Sequence, residues 1–165
     1  MKSLLKEFVA YHLWANQQLS ACILALDQSD WTKTIPSSFP SLHKTILHML
    51  DADSIWWQRI EGMASVTVPS RNFKGDTPEL VRRLLLQDEE WKTWVGQLDP
   101  VEFEKSFSYS NSRGDHFEQP LYQVILHICN HGTYHRGQLV TLLRNLEAPK
   151  IPQTDYVHWV RMSQQ

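Results

Sequence analysis

The sequence predicts an all-α fold built on a bundle of four long helices. Four long stretches carry apolar side chains at three- and four-residue steps, which is the spacing of one face of an amphipathic helix. Segments rich in Ser, Thr, Asp, Gly and Pro separate these stretches, and such residues favour loops. Four amphipathic helices of this kind bury their apolar faces against one another. We therefore expect a four-helix bundle with long crossover connections.

The first half of the chain contains two of these helices. The first is predicted over residues 2–26, and the polar segment 27–40 is predicted to be a loop. The second helix is predicted over residues 41–61. Ser41 is its expected N-cap, and Gly62 stands just beyond its C-terminal end, where glycine is favoured.

The second half contains the other two helices and two shorter elements. The third helix is predicted over residues 76–98, with Asp76 as its cap and a proline in its first turn. Alternation of aromatic and polar residues predicts a short β-hairpin near residues 103–118, with an irregular crossover as the alternative. The fourth helix is predicted over residues 120–146. The aromatic residues of the tail, 155–160, predict a short docked helix.

Length and composition narrow the class of protein. The chain has 165 residues, of which 42% are hydrophobic, and a formal net charge of −2. This length suits one domain, expected over residues 1–165, and the balanced charge argues against a nucleic-acid partner. No apolar run approaches the ~18 residues of a membrane helix, so no membrane partner is expected. The N-terminal residues do not resemble a signal peptide, and the two cysteines form no CxxC motif. A reducing, cytoplasmic location is therefore expected.

Three histidines on the fourth helix suggest a metal site. His127, His131 and His135 are four residues apart, so each step advances ~6 Å along the axis and turns ~40°. Neighbouring members can hold one ion, but the outer pair lies ~12 Å apart. The pair His131 and His135 is favoured because small and polar residues surround it. His127 is flanked by large apolar residues, which is typical of packing.

A third ligand has to come from another helix, and His48 in the middle of the second helix is the candidate. A buried histidine without a partner is costly. Three neutral imidazoles leave one coordination position open, as catalytic sites do. The alternative is that an i,i+4 histidine pair arises by chance and serves packing. The other histidines are expected to be solvent-facing or hydrogen-bonded structural residues: His12, His43, His116 and His158.

Two adjacent tryptophans and several missing motifs add to this picture. Trp56 and Trp57 point ~100° apart on a helix, so one of them is expected to line a pocket or a subunit interface.

The sequence has no HExxH, GxSxG, Walker or GxGxxG motif, which argues against the enzyme classes that use them. Cys129 lies roughly across the helix from His131 and is a poor candidate ligand.

Three motifs resemble those of the DinB-like family in the DinB/YfiT superfamily. They are the segments 11–16 (YHLWAN), 47–52 (LHMLDA) and 130–138 (NHGTYHRGQ), and the tail segment 151–156 is also similar. Their order and spacing match over essentially the whole chain, and HxxxHRGQ is the most specific of them. The resemblance implies a four-helix bundle in which His48, His131 and His135 hold a divalent metal ion, with nickel or zinc expected. It also implies a homodimer.

Characterised relatives in this superfamily include thiol-dependent transferases and isomerases that use bacillithiol or mycothiol. The resemblance therefore implies a metal-dependent enzyme with an open tri-histidine site, a low-molecular-weight-thiol S-transferase acting on a thiol and an electrophile. The alternatives are a non-catalytic metal-binding stress-response protein and a metal-dependent hydrolase. Asp51, Tyr134, Arg136 and Gln138 are candidates to surround the ligands, and no catalytic residue is assigned.

Overall fold

A computed structural model describes residues 2–111 and 113–163 of the chain. The described part is mainly helical, which confirms the predicted all-α fold. Its helices are α1 (Lys2–Leu24), α2 (Gln28–Trp31), α3 (Leu42–Ile60), α4 (Thr77–Gln97), α5 (Leu121–Asn145) and α6 (Tyr156–Ser163). Its strands are β1 (Ser106–Ser110) and β2 (His116–Pro120), and 3₁₀ turns occupy Pro69–Arg71 and Pro100–Glu104.

The helix ends follow the capping residues seen in the sequence. The Ser41 side chain accepts a hydrogen bond from the backbone N–H of Lys44 at 3.1 Å and starts α3. The Asp76 carboxylate accepts one from the N–H of Glu79 at 2.9 Å and starts α4. Gly62 adopts a φ of 70° just after α3, a conformation that only glycine adopts without strain. Local side-chain chemistry therefore sets these boundaries.

The prediction that residues 27–40 form only a loop is wrong for the first part of that segment. The Asp27 side chain accepts a hydrogen bond from the N–H of Ser29 at 2.8 Å and caps the one-turn helix α2. Trp31 at its end is buried, and its indole N–H donates to the carbonyl of Ile23 at 2.8 Å. One turn is too short for apolar periodicity to show, so the helix depends on its cap and its anchoring tryptophan.

The four long helices form a bundle in which sequence neighbours are not always spatial neighbours. α1 packs against α4 and α5, and α3 packs against the same two helices. The order around the bundle is therefore α1, α4, α3, α5, with α1 and α3 at opposite corners. The chain must cross the end of the bundle between α1 and α3, which accounts for the long connection predicted there.

The core has two large apolar ends, a smaller apolar cluster around Trp91, and a polar middle. One apolar end is formed by side chains such as Leu19, Ile23, Ile46, Leu84 and Leu142, and the other by side chains such as Leu5, Val9, Val95, Phe103 and Ile125. Between them lies a group of buried polar residues that we call the polar layer: His12, Asn16, Asp53, Asp88 and Arg136. Every long helix contributes to this layer.

The hairpin and the tail pack on the outside of the bundle. The antiparallel strands pair Ser106 with Pro120 and Ser110 with His116, which confirms the predicted hairpin. It starts later than predicted because a 3₁₀ turn precedes it and buries Phe103 in the core. α6 confirms the predicted short C-terminal helix. In the described residues, no helix is both long and apolar enough to cross a bilayer.

Candidate metal centre

Helices α3 and α5 bring three histidines together at their interface. His131 and His135 stand one turn apart on α5, and their Nε2 atoms lie 3.0 Å from each other. The ring of His48, from α3, lies 5.2 Å from that of His131 and 4.6 Å from that of His135, measured between ring centres. One ring nitrogen from each histidine lies within 4.8 Å of the others. The structure thus brings together the three residues that the sequence singled out.

A glutamine determines the orientation of one of these rings. The Nδ1 of His135 lies 2.7 Å from the side-chain oxygen Oε1 of Gln138. A carbonyl oxygen only accepts hydrogen bonds, so Nδ1 carries the proton and donates it. The Nε2 of His135 then presents its lone pair towards His131. Metal-binding histidines are commonly oriented by such a hydrogen bond on the nitrogen that does not bind the ion.

The donor set fits a divalent ion. Tetrahedral ligands at 2.0–2.1 Å from an ion lie about 3.3 Å from one another, close to the distance between the two Nε2 atoms of α5. Imidazole nitrogen suits zinc, nickel, copper and iron. Within the described residues, Nδ1 of His131 is buried without a hydrogen-bond partner, so the polar contact of this ring is the one between its Nε2 and Nε2 of His135.

The three histidines are held in their neutral form. Burial, and to a smaller extent the neighbouring His135 and His48, together lower the pKa of His131 to about 3. Burial also lowers the pKa of His48 and of His135, while the Gln138 hydrogen bond acts in the opposite direction on His135. Neutral imidazole is the form that binds metal ions, so the site is prepared for an ion at neutral pH.

An aromatic side chain from the loop before α3 covers one side of the cluster. The ring of Phe39 stacks on His48 with 4.0 Å between ring centres and an angle of 17° between planes. The same ring meets His135 edge-on at 5.6 Å. Phe39 excludes water from this side. No sequence pattern indicated this role, because a single aromatic residue in a loop follows no period.

A cavity of about 400 Å³ lies next to the cluster, although none of the three histidines is among its lining residues. Gln138 connects the two, because its side chain lines the cavity and binds His135. Tyr134 also lines the cavity, is 63% exposed, and has its ring 5.0 Å from that of His135. The rest of the lining is apolar or hydroxyl-bearing: Ile35, Pro36, Ser37, Ser38, Gly137, Thr141 and Leu142. None of these residues is charged, so the cavity suits a small polar molecule with an apolar part.

The other residues singled out by the sequence lie elsewhere. Asp51, one turn after His48 on α3, acts on the cluster only through its charge, which raises the pKa of His48, while its carboxylate accepts a hydrogen bond from the N–H of Ser70 at 2.7 Å. Arg136 points into the polar layer instead of towards the cluster. The His127 ring packs edge-on against Trp56 at 5.2 Å and lies 6.0 Å from the ring of His131. Of the four residues expected to surround the ligands, Gln138 and Tyr134 lie beside them.

Other predictions about histidines and tryptophans can be compared with the structure. His43 pairs with the Thr77 hydroxyl at 2.9 Å, and His116 pairs with the Ser110 hydroxyl at the same distance. Both are hydrogen-bonded, as expected. Trp57 packs edge-on against Trp91 and lines a surface cavity along α4. The expectation that one of the adjacent tryptophans lines a pocket is therefore confirmed.

The polar layer is the feature that sequence reasoning missed. Asn16 donates a hydrogen bond to Oδ2 of Asp88 at 2.9 Å, and Nε2 of His12 lies 3.3 Å from Oδ1 of the same carboxylate. Burial and the adjacent Asp88 raise the pKa of Asp53, so Asp53 keeps its proton. Arg136 lies 3.2 Å from Nδ1 of His12.

The polar layer could also bring metal ligands together, but its hydrogen bonds argue against an ion. One potential ligand atom from each of His12, Asp53 and Asp88 lies within 4.8 Å of the others. Arg136 can only donate, so Nδ1 of His12 accepts its hydrogen bond and Nε2 carries the ring proton. Nε2 lies 3.3 Å from Oδ1 of Asp88 without forming a hydrogen bond to it, and 3.2 Å from the side-chain nitrogen of Asn16. Hydrogen bonds from Asn16 and Arg136 therefore hold the layer together, and His12 offers no free lone pair towards the carboxylates.

Comparisons with known proteins point to one family. The family model described as the DinB family matches residues 1–165. Protein DinB of Bacillus subtilis (strain 168) is 26% identical over 153 residues, which cover 88% of this chain and 87% of that protein. In both cases the match extends over the helices that carry the three histidines.

Two crystal structures have a similar fold. One is a DinB-like protein from Bacillus subtilis, with a TM-score of 0.65, 15% identity, and coverage of 90% of this chain and 96% of that one. The other, a candidate member of the DinB family from Exiguobacterium sibiricum 255-15, has a TM-score of 0.68, 16% identity, and coverage of 93% and 97%. At such identities these similarities show the fold alone.

Proposed function

Because the chain belongs to the DinB family, we propose that it is a divalent-metal-dependent enzyme whose ion is held by His48, His131 and His135. The reaction we propose is S-transfer. A bond forms between the sulfur of a low-molecular-weight thiol and an electrophilic carbon, while the thiol proton and the leaving group of the electrophile depart. Nickel or zinc is the proposed ion, since imidazole suits both.

The observation that carries this proposal is the convergence of three neutral imidazoles beside an uncharged cavity. Neutral ligands do not cancel the charge of a divalent ion, so the site favours an anionic partner. When bound, the ion supplies Lewis acidity that converts a thiol into a thiolate, the nucleophilic form of sulfur. A purely structural ion would need neither the cavity nor the uncancelled charge.

The chain's own residues would position the substrates. Gln138 fixes the His135 ring, and Phe39 keeps water from one side of the cluster. The hydroxyl of Tyr134 and those of Ser37 and Ser38 are available to bind polar groups of a molecule in the cavity. None of the cavity-lining residues is a carboxylate or a histidine that could act as a general base. This favours a thiol over water as the nucleophile, because a thiol loses its proton far more readily.

Metal analysis and a transfer assay on the same sample test the proposal. The protein is purified without added metal, its metal content is measured, and thiol consumption with an electrophile such as a chloronitrobenzene is followed. His48→Ala, His131→Ala and His135→Ala should each lose the metal and the activity. His127→Ala should keep both, because His127 lies outside the group of three.

Two results would contradict parts of this proposal. If His127→Ala empties the site while His135→Ala leaves it full, the assignment of ligands is wrong. If the metal-loaded wild type shows no turnover with any thiol, the non-catalytic metal-binding alternative is favoured. Turnover of ester or amide substrates without thiol would favour the hydrolase.

Assembly and location complete the proposal. We propose a homodimer, as the family resemblance implies, and sedimentation velocity of the purified protein tests it. We also propose a cytoplasmic location. It is supported by Cys22 and Cys129, which are both free thiols in the structure, as is usual in a reducing compartment.

A further inference from the structure

A second cavity, of about 330 Å³, lies at the C-terminal end of α3. It is enclosed by α3, the segment 64–71 and the end of β1. Its apolar lining comes from Ile55, Ala64, Val66 and Val68, and its polar lining from Arg59, Arg71, Ser110 and Asn111. We call it the arginine cavity, because it contains two arginines and no carboxylate.

Arg59 is held in place by aromatic rings. Its guanidinium lies 4.6 Å from the ring centre of Trp56 and 5.1 Å from that of Tyr109, which are cation–π distances. The Nε atom of Arg59 is buried and has no hydrogen-bond partner in the described part of the chain. Buried polar groups in native proteins nearly always have a partner, so an unpaired donor on a cationic side chain calls for an acceptor.

The positive charge of the cavity is not neutralised by the protein. No ion pair among the described residues includes Arg59 or Arg71, whereas Arg82 and Arg83 both pair with Glu79. Two charges of the same sign, on the half-buried Arg59 and the exposed Arg71, therefore line one cavity.

The polar neighbours of the arginines are already engaged. The Ser110 hydroxyl bonds with His116 at 2.9 Å, and the Asn111 amide donates to Asp115 at 2.9 Å. Neither contact supplies an acceptor to Arg59. Nε of Arg59 therefore has no acceptor among the described residues.

We propose that the arginine cavity binds a phosphate or carboxylate group of a small organic molecule. The planar fork of an arginine matches either group with two parallel hydrogen bonds. The apolar wall would receive the rest of the molecule, and the volume lies at the lower end of the range for ligand cavities, about 300 Å³ and upward. Arg59 follows His48 by 11 positions on α3, which is ~16 Å along the axis. The anion site is therefore separate from the metal centre and does not depend on it.

Nuclear magnetic resonance of the arginine side chain tests this directly. In chelator-treated, ¹⁵N-labelled protein, a buried Nε–H should give a distinct signal, and its absence in Arg59→Lys assigns it to Arg59. Methyl phosphate and acetate are titrated separately, so that the two arms distinguish the two anions. We expect the Arg59 signal to move in a saturable manner with at least one of them.

Matched variants distinguish a specific anion-binding site from non-specific attraction of anions to positive charge. Binding to the variants is followed through the backbone amide signals of Ile55 and Val66, which also line the cavity, because the Arg59 variants lack the Nε–H signal. Arg59→Gln and Arg71→Gln should each weaken binding at least about tenfold, as expected for losing a hydrogen bond to a charged group. Arg59→Lys should also weaken it, because the charge remains but the fork is lost. Arg144→Gln, at the exposed end of α5, should bind like the wild type. Equal affinity in Arg59→Gln and Arg144→Gln, or no movement of the signal with either anion, would overturn the proposal.

Discussion

The orientation of the His135 ring depends on a single side chain. Gln138 accepts the hydrogen bond from Nδ1 at 2.7 Å and leaves Nε2 free to bind an ion. Gln138→Leu keeps a similar volume but removes the acceptor. Removing such an orienting partner typically weakens metal binding 10- to 100-fold, and we expect a loss in that range. Competition with a chromophoric chelator measures it.

A second substitution in the cavity that Gln138 lines serves as the control for a general change of cavity shape. Thr141 also lines it, but its hydroxyl donates to the carbonyl of Gly137 and does not contact His135. Thr141→Val should therefore bind metal as the wild type does. An equal loss in both variants would mean that Gln138 acts on the cavity as a whole and not on the His135 ring.

Asp53 should make stability depend on pH in an unusual direction. Burial and the adjacent Asp88 raise its pKa in the folded protein, whereas an unfolded aspartate has a pKa of ~3.9. Between these two values the folded protein binds one more proton than the unfolded chain. Its free energy of unfolding therefore falls as pH rises, by at most ~1.4 kcal/mol per pH unit.

The variant Asp53→Asn isolates this effect. An amide can still donate to Asp88 but cannot ionise, so the variant should gain stability relative to the wild type as pH rises above about 4. The other titratable or charged groups around Asp53, His12, Asp88, Cys129 and Arg136, are common to both proteins. Urea unfolding at several pH values in chelator gives the difference. A parallel pH profile for both proteins would show that Asp53 is ionised in the folded state.

At the scale of helices, the contact between α1 and α5 depends on a missing side chain. A methyl group at Gly132 would collide with the imidazole of His12, which packs against the bare backbone there. Gly132→Ala should therefore destabilise the protein by about 1–3 kcal/mol through overpacking. Thermal or urea unfolding measures the change.

α5 provides its own control for this substitution. Gly137 lies five residues further along, and a methyl group there would meet no atom within 4 Å. Gly137→Ala should stabilise the protein by up to about 1 kcal/mol, because alanine is the better helix former. If both substitutions stabilise, the close approach of His12 to α5 is not maintained in solution.

Sequence patterns were sufficient to predict the long helices, but not the loop contacts and buried polar groups between them. Apolar periodicity and the caps Ser41 and Asp76 located the helices to within a few residues, because both signals are local. The helical spacing of His131 and His135 was equally local. The role of Phe39 and the polar layer could not be predicted, because each depends on residues far apart in the chain. Asp53 and Asp88 stand in polar surroundings in the sequence, and only the packing of four helices buries them.

For the molecule as a whole, metal removal should lower stability without unfolding the protein. The two apolar ends of the core are large clusters of buried apolar side chains that need no metal ion to pack. An ion at 100 times its dissociation constant stabilises the folded state by about 2.7 kcal/mol, which corresponds to about 5–10 °C in melting temperature for a protein of this size. We expect a chelator to lower the melting temperature by that order and to leave the helical circular-dichroism signal at 25 °C.

The variant His131→Ala should melt at the same temperature with and without chelator, because it has lost the ion already. Collapse of the wild-type helical signal at 25 °C on adding chelator would instead identify the ion as a structural clip between α3 and α5. Such a result would favour the non-catalytic alternative over a reactive site.

The placement of α1 and α3 at opposite corners affects how the chain is made. The main partners of α1 are α4 and α5, which begin at Thr77 and Leu121. During synthesis α1 therefore leaves the ribosome well before the helices that will cover its apolar side. Contacts between such distant segments slow folding compared with a bundle of successive hairpins. The nascent N-terminal helix is thus a natural client for chaperones that shield apolar surface until translation is complete.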